Sequence, residues 1–144
     1  TLSMLQGMHG NQHTEIERLI DWLTHDYRPD VVLMTNVLLS GLIPELQKRL
    51  KVPIITTLQG DDIFLEELPE NERAQCIELI RKNCESASGH IATCQYYADF
   101  MAEYLGLTRE SIHVVYPGLE LEHFPYQHEF ARNMSRYALD TWHG

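Results

Sequence analysis

Four short runs of apolar and β-branched residues, separated by helix-like stripes, limit this chain more than any other feature. The runs are VVLM at 31–34, IITT at 54–57, HIATC at 90–94 and IHVVY at 112–116. VVLM follows a turn and suits a strand buried on both faces of a sheet. IITT is rich in the β-branched residues that favour strands.

The segments between them have the helical period. In residues 12–27, Ile16, Leu19, Ile20 and Leu23 fall at i, i+3, i+4 and i+7, with Thr14 or Asn11 as a cap, and Arg28-Pro29-Asp30 ends the stripe. Ser40 is placed to cap a second helix reaching Leu50, with Leu42, Leu46, Arg49 and Leu50 as its stripe and Pro44 near its first turn. A third helix is expected over 71–87, on Ile77, Ile80, Cys84 and Ala87. A fourth runs over 95–105, with Tyr97, Phe100, Met101, Tyr104 and Leu105 on one side and Gly106 just past its end. Strands alternating with amphipathic helices predict an α/β fold: a parallel sheet with helices on both faces and right-handed crossovers.

Ligands of such sheets bind beyond the carboxyl ends of the strands. The residues there are 35–36, 59–63, 93–96 and 116–122, all polar or glycine-bearing. Any one of them could simply cap the following helix, as Asp61, Asp62 and Thr93 can. That all four strands end this way makes the set a candidate site. Tyr96 is the better aromatic candidate to line such a cleft, whereas Tyr97 lies on the core side of its stripe.

Charge narrows the partners. The formal net charge of −10 is not offset by any Lys/Arg run, which disfavours nucleic acid and anionic membranes. No apolar stretch approaches the ~20 residues that span a bilayer. Cys76, Cys84 and Cys94 are odd in number and form no C-x-x-C pair, so reduced thiols in a cytoplasmic protein are expected. The eight His include His9/His13 and His123/His128, but no ligand set of recognised spacing, so no metal site is expected. Cys94 stands at a strand end without a base placed beside it in sequence, which does not make a nucleophile.

PDVVLMTN, VPIITTLQGDD, HIATCQYYADFMAEYLGL and IHVVYPGLELEHF follow one another across about residues 29–124. In order and spacing this set resembles the N-terminal domain of family 4 (group 1) glycosyltransferases of GT-B fold. Each motif is weak alone, and the ordered set is more specific. The resemblance implies one Rossmann-like half of a two-domain enzyme, incomplete at its N-terminal edge. It implies hexosyl transfer with retention, from a nucleotide-sugar donor to a carbohydrate or lipid-linked acceptor. No cofactor or metal is implied, because the diphosphate charge is met by Arg, Lys and helix N-termini. It places Gln59, Gly60, Asp61, Thr93, Gln95, Tyr96, Gly118 and Glu120 along the acceptor side of the cleft, and leaves the catalytic residues unassigned.

Several departures qualify the resemblance. Gln59 stands where many members have His, and an amide cannot act as acid or base at neutral pH. The family's first strand, its Gly-rich loop and its donor domain are not seen, so the chain alone is expected to be inactive. It begins TLSML without Met, as a piece of a longer protein would. Glu70 and Glu78 imitate the spacing of the family's donor-site Glu pair. With 14 Glu in 144 residues, however, about one such pair is expected by chance, and PENERAQCIE lacks the Gly-rich turn. Residues 1–124 are thus taken as the partial domain. Residues 125–144, with Phe130, Met134, Tyr137 and Ala138 at helical spacing, are taken as a helical tail, which the resemblance reads as the C-terminal crossover helix of a GT-B enzyme. The alternative readings are a non-catalytic flavodoxin-like or receiver-like binding module, or a sugar-binding domain without catalysis.

Overall fold

The computed structural model describes residues 1–118 and 120. The chain opens with a single helical turn, α1 (Leu2–Leu5), then a 3-10 turn, then α2 (His13–Trp22). β1 (Val32–Met34), α3 (Ile43–Leu50), β2 (Ile54–Leu58), α4 (Asp61–Glu66), α5 (Glu70–Cys84), β3 (Gly89–Ala92), α6 (Gln95–Leu105) and β4 (Ile112–Val114) follow. The strands form one sheet in the order β1-β2-β3-β4, with every pairing parallel. The expected parallel α/β architecture is therefore present. The tail at 125–144 lies outside the described residues, as do Leu119, His123 and Phe124.

Local chemistry accounts for most of the boundaries. Lys51 closes α3 in the left-handed region at φ 55°, after Lys48 and Arg49 in its last turn. Such cations offset the negative end of a helix. α5 has Glu70 and Glu72 in its first turn and Arg81 and Lys82 in its last, the same complement at both ends. Gly106 ends α6 at φ 66°, as expected for a C-terminal glycine. The helix expected over 12–27 is α2 followed by a wider π turn at Leu23–Tyr27, closed by Arg28 at φ 50°. Neither Thr14 nor Asn11 caps it, because the helix starts behind Gln12 and no side-chain bond is made there. Ser40 does not cap α3 either. It sits fully buried inside a 3-10 turn, Val37–Leu42, and α3 begins after it.

α1 had no signal in the periodicity. It is held by backbone proximity. A Cβ placed on Gly41 would stand 2.1 Å from the Met4 carbonyl oxygen, and one on Gly7 would stand 2.2 Å from the Gly41 carbonyl oxygen. Only glycines permit that approach. The Asn83 amide then donates to the Leu5 carbonyl at 2.9 Å, which ties α1 to α5.

Strand order dictates where the helices stand. Right-handed crossovers that always step the same way along a sheet place their connections on the same face. Side chains in register confirm it. Met34, Thr56, His90 and Ile112 form one row across all four strands, and every member is buried. The row Leu58, Ala92 and Val114 lies on the same face. α6 packs on β2, β3 and β4, α3 packs on β2, and α5 bridges α1, α3 and α6.

The opposite face differs. Leu33 is 61% exposed, Val31 50% and Val115 54%, with Ile55, Thr57 and Ile91 only half buried. Among the described residues the flanking helices thus cover one face. The expectation that VVLM is buried on both faces does not hold, because Val31 and Leu33 lie on the face that the described helices leave open.

Candidate functional site

The C-terminal ends of all four parallel strands lie on one edge, and a network of backbone and side-chain bonds joins their loops. Asp61 is its centre. One carboxylate oxygen accepts the Val37 N–H at 3.1 Å, and the other accepts the Gln59 N–H at 3.0 Å. The loop after β1 is thereby clamped to the loop after β2. Asp61 is only 2% exposed, so its carboxylate does not line a cleft as the sequence suggested. Burial raises its pKa above 3.8, against the lowering effect of the two N–H bonds, and the neighbouring Asp62 raises it further.

A second clamp joins α6 to the same loop. The Tyr97 hydroxyl accepts the Gly60 N–H at 2.7 Å and donates to Asp62 at 2.5 Å. Gly60 occupies the left-handed region at φ 76°, which turns its N–H toward that hydroxyl without strain. Burial and the Asp62 carboxylate push the Tyr97 pKa far above 10, so the phenol keeps its proton. The sequence placed Tyr97 in the core. Its ring is half buried as expected, but its hydroxyl serves the edge. The available signal was position: Tyr97 is the third residue of α6, one turn from the strand end.

The remaining candidates have distinct surroundings. Gln59 is exposed and donates from its side-chain amide to the Thr35 carbonyl at 3.4 Å. Thr93 is half buried at the end of β3. Gln95 is exposed and donates to Asp99 at 3.0 Å along α6. Tyr96 is 77% exposed, and its ring runs parallel to Phe100 at a centroid distance of 6.4 Å. Gly118 is exposed, with nothing within 4 Å of a Cβ built on it, so close packing does not require glycine there. Glu120 is exposed. Asp61 and the Gln59 and Gly60 backbones thus form one connected group with Tyr97 and Asp62. Gly118 and Glu120 stand beyond the end of β4.

The sequence did not anticipate α4. Asp61 and Asp62 supply acids to its first turn, where the helix dipole favours them. The Glu70/Glu78 pair belongs to α5, on exposed positions, with Glu78 in an ion pair to Arg81.

Phenylalanine at position 97 removes both hydroxyl bonds and leaves the ring. The expected result is a loss of ~1–2 kcal/mol in unfolding free energy, with faster hydrogen exchange at the Gly60 amide than at the amides of β2. Exchange at Gly60 unchanged in the Tyr97→Phe protein would contradict the clamp.

The edge forms a rim. A hollow of about 310 Å³ lies elsewhere, between α1, α3 and α5, lined by Leu5, Gln6, Pro44, Glu45, Leu79 and Lys82. Among the described residues, no group of three or more His, Cys, Asp or Glu gathers as a metal ion would require. No helix there is long and apolar enough to cross a membrane.

A parallel sheet with its loops tied together on the carboxyl edge is the Rossmann-like half-domain that enzymes use as one wall of a ligand cleft. A family model described as a glycosyl transferase 4-like domain matches residues 5–118. The chain belongs to that family, as an N-terminal domain of the family 4 (group 1) glycosyltransferases. A search of curated proteins finds no match.

Proposed function

We propose that this chain is the acceptor-side half of a retaining GT-B glycosyltransferase, which moves a hexose from a nucleotide-sugar to an acceptor held against the C-terminal edge. A role in glycosyl transfer follows from the family. The observation that carries the finer reading is the double clamp, Asp61 on the Val37 and Gln59 N–H groups and Tyr97 on Gly60. It fixes the loops of β1, β2 and β3 against one another before any ligand arrives. Such pre-organisation lowers the cost of orienting an acceptor.

This edge is built to position groups. Asp61 is buried and fully engaged, and Tyr97 holds its proton too tightly to donate it near neutrality. Gln59 offers an amide, which neither gives nor takes a proton at pH 7. The groups that stabilise the leaving diphosphate therefore belong to a facing donor domain. Hydrogen bonds from Gln59, Gln95 and Thr93 would orient the acceptor hydroxyl toward the donor carbon.

The test incubates the full-length enzyme with UDP-, GDP- and ADP-hexoses and a panel of acceptors. Release of nucleoside diphosphate is followed, and the linkage is read by NMR coupling. The expected product keeps the anomeric configuration of the donor. An inverted linkage would remove the retaining assignment, and the absence of any diphosphate release would remove the transferase reading.

A further inference from the structure

We infer that the hollow of about 310 Å³ between α1, α3 and α5 is a second binding site, for a small neutral ligand with an apolar body and one hydrogen-bond donor, of the phenol class. None of its lining residues belongs to the strand-end loops, so it is separate from the carboxyl edge.

The hollow is held open by ties between backbones. A Cβ on Gly41 would stand 2.1 Å from the Met4 carbonyl oxygen, and one on Gly7 would stand 2.2 Å from the Gly41 carbonyl oxygen. These approaches fix α1 against the 3-10 turn Val37–Leu42, and the bond from the Asn83 amide to the Leu5 carbonyl fixes it against α5. The walls therefore stand in place before a ligand arrives, as those of ligand pockets generally do. At ~30 Å³ for each water-sized group, the space takes about ten non-hydrogen atoms.

The lining sets the chemistry. Leu5, Met8, Pro44 and Leu79 supply the apolar part. Leu5 is buried, Met8 and Leu79 are half buried and Pro44 is exposed, so apolar area remains for a ligand to cover. Asn83 supplies the polar group. It is 8% exposed, its amide nitrogen is used by the Leu5 carbonyl, and its side-chain oxygen has no partner among the described residues. A buried acceptor of this kind calls for a donor, which a ligand hydroxyl provides. Lys82 and Glu45 border the hollow with opposite charges, and Glu45 already pairs with Lys48 at 3.4 Å. Lys82 is exposed, where an ammonium stays hydrated. The lining thus selects neither sign, and a neutral ligand gives up no charge hydration on entering.

Methyl-detected NMR on the full-length protein tests this with three probes: phenol, anisole and benzoate. Phenol is expected to shift the Leu5, Met8 and Leu79 methyl signals saturably, with a dissociation constant of about 1 mM. Anisole has the ring and oxygen without the donor, and is expected to bind roughly fivefold more weakly or less. Leu79→Trp and Met8→Trp each fill the hollow from a different wall, and either one, once shown to be folded, is expected to abolish the shifts. Four results would overturn the inference: no saturable shift of these methyls by phenol, anisole binding as tightly as phenol, benzoate binding as tightly as phenol, or shifts that persist in a folded Trp variant. Benzoate binding would assign the hollow to anions through Lys82.

Discussion

Replacing Asp61 with Ala is expected to lower the unfolding free energy by about 3 kcal/mol and to loosen the edge as a unit. The side chain is 2% exposed and is the acceptor for the Val37 and Gln59 N–H groups. Truncation leaves two donors without a partner, and each such loss inside a protein costs ~1–3 kcal/mol. The raised pKa sharpens the comparison. Because the folded state takes up this proton more readily than the unfolded one, the ionised form detracts from stability once pH passes the unfolded value near 3.8. Asp61→Asn removes that charge and keeps one acceptor oxygen, so it should cost clearly less than Asp61→Ala. Urea unfolding at pH 7 distinguishes them. Equal losses for the two variants would show that the single N–H bond an amide oxygen keeps contributes nothing, and would contradict this reading of the clamp.

The second large effect is in the pH dependence of stability, and it comes from His90. Its ring lies in the buried row of the sheet, bonded to Thr56 at 2.7 Å and 3% exposed. Burial, helped by His113 on the next strand, lowers its pKa from 6.5 to about 4. Between those two values the unfolded chain binds the proton and the folded chain does not. Stability is therefore full above about pH 6.5 and falls as pH drops toward 4. The shift corresponds to about 3 kcal/mol across that window. His90→Gln keeps a hydrogen-bonding group beside Thr56 and removes the titration. Its unfolding free energy should be the less steep of the two between pH 7 and pH 4.5. Parallel slopes would mean that His90 is not held neutral in the folded state.

These two residues also show what the sequence made visible. The strands, α5 and α6 were legible because their periodicity is strong and their ends carry clear stop signals, Gly106 above all. The parallel order followed from alternation alone, and the strand-end rule picked out the edge at which the loops are tied together. The helix layer was not legible to that depth, because alternation does not state strand order. The order β1-β2-β3-β4 is what puts the crossovers on one side and leaves Leu33 exposed. α1 was invisible for a different reason: it is held by Gly7 and Gly41, which have no side chain to show a period.

At the site, residue type alone could not separate two adjacent acids. Asp61 and Asp62 look alike in sequence, yet one is buried beneath the rim and the other pairs with Tyr97. Likewise, Tyr97 reads as core from its spacing. The dual character of the side chain, an apolar ring with a polar tip, lets it be both core and edge.

The most direct test of the central claim, that this carboxyl edge orients the acceptor, is a split of kinetic constants in the full-length enzyme carrying Gln59→Ala. Gln59 is an exposed side chain on the rim whose loss leaves the clamps in place. KM for the acceptor is expected to rise about tenfold, from loss of an amide bond to a hydroxyl, while KM for the nucleotide-sugar stays unchanged. A rise in the donor KM with the acceptor KM unmoved would place the donor at this edge and contradict the account.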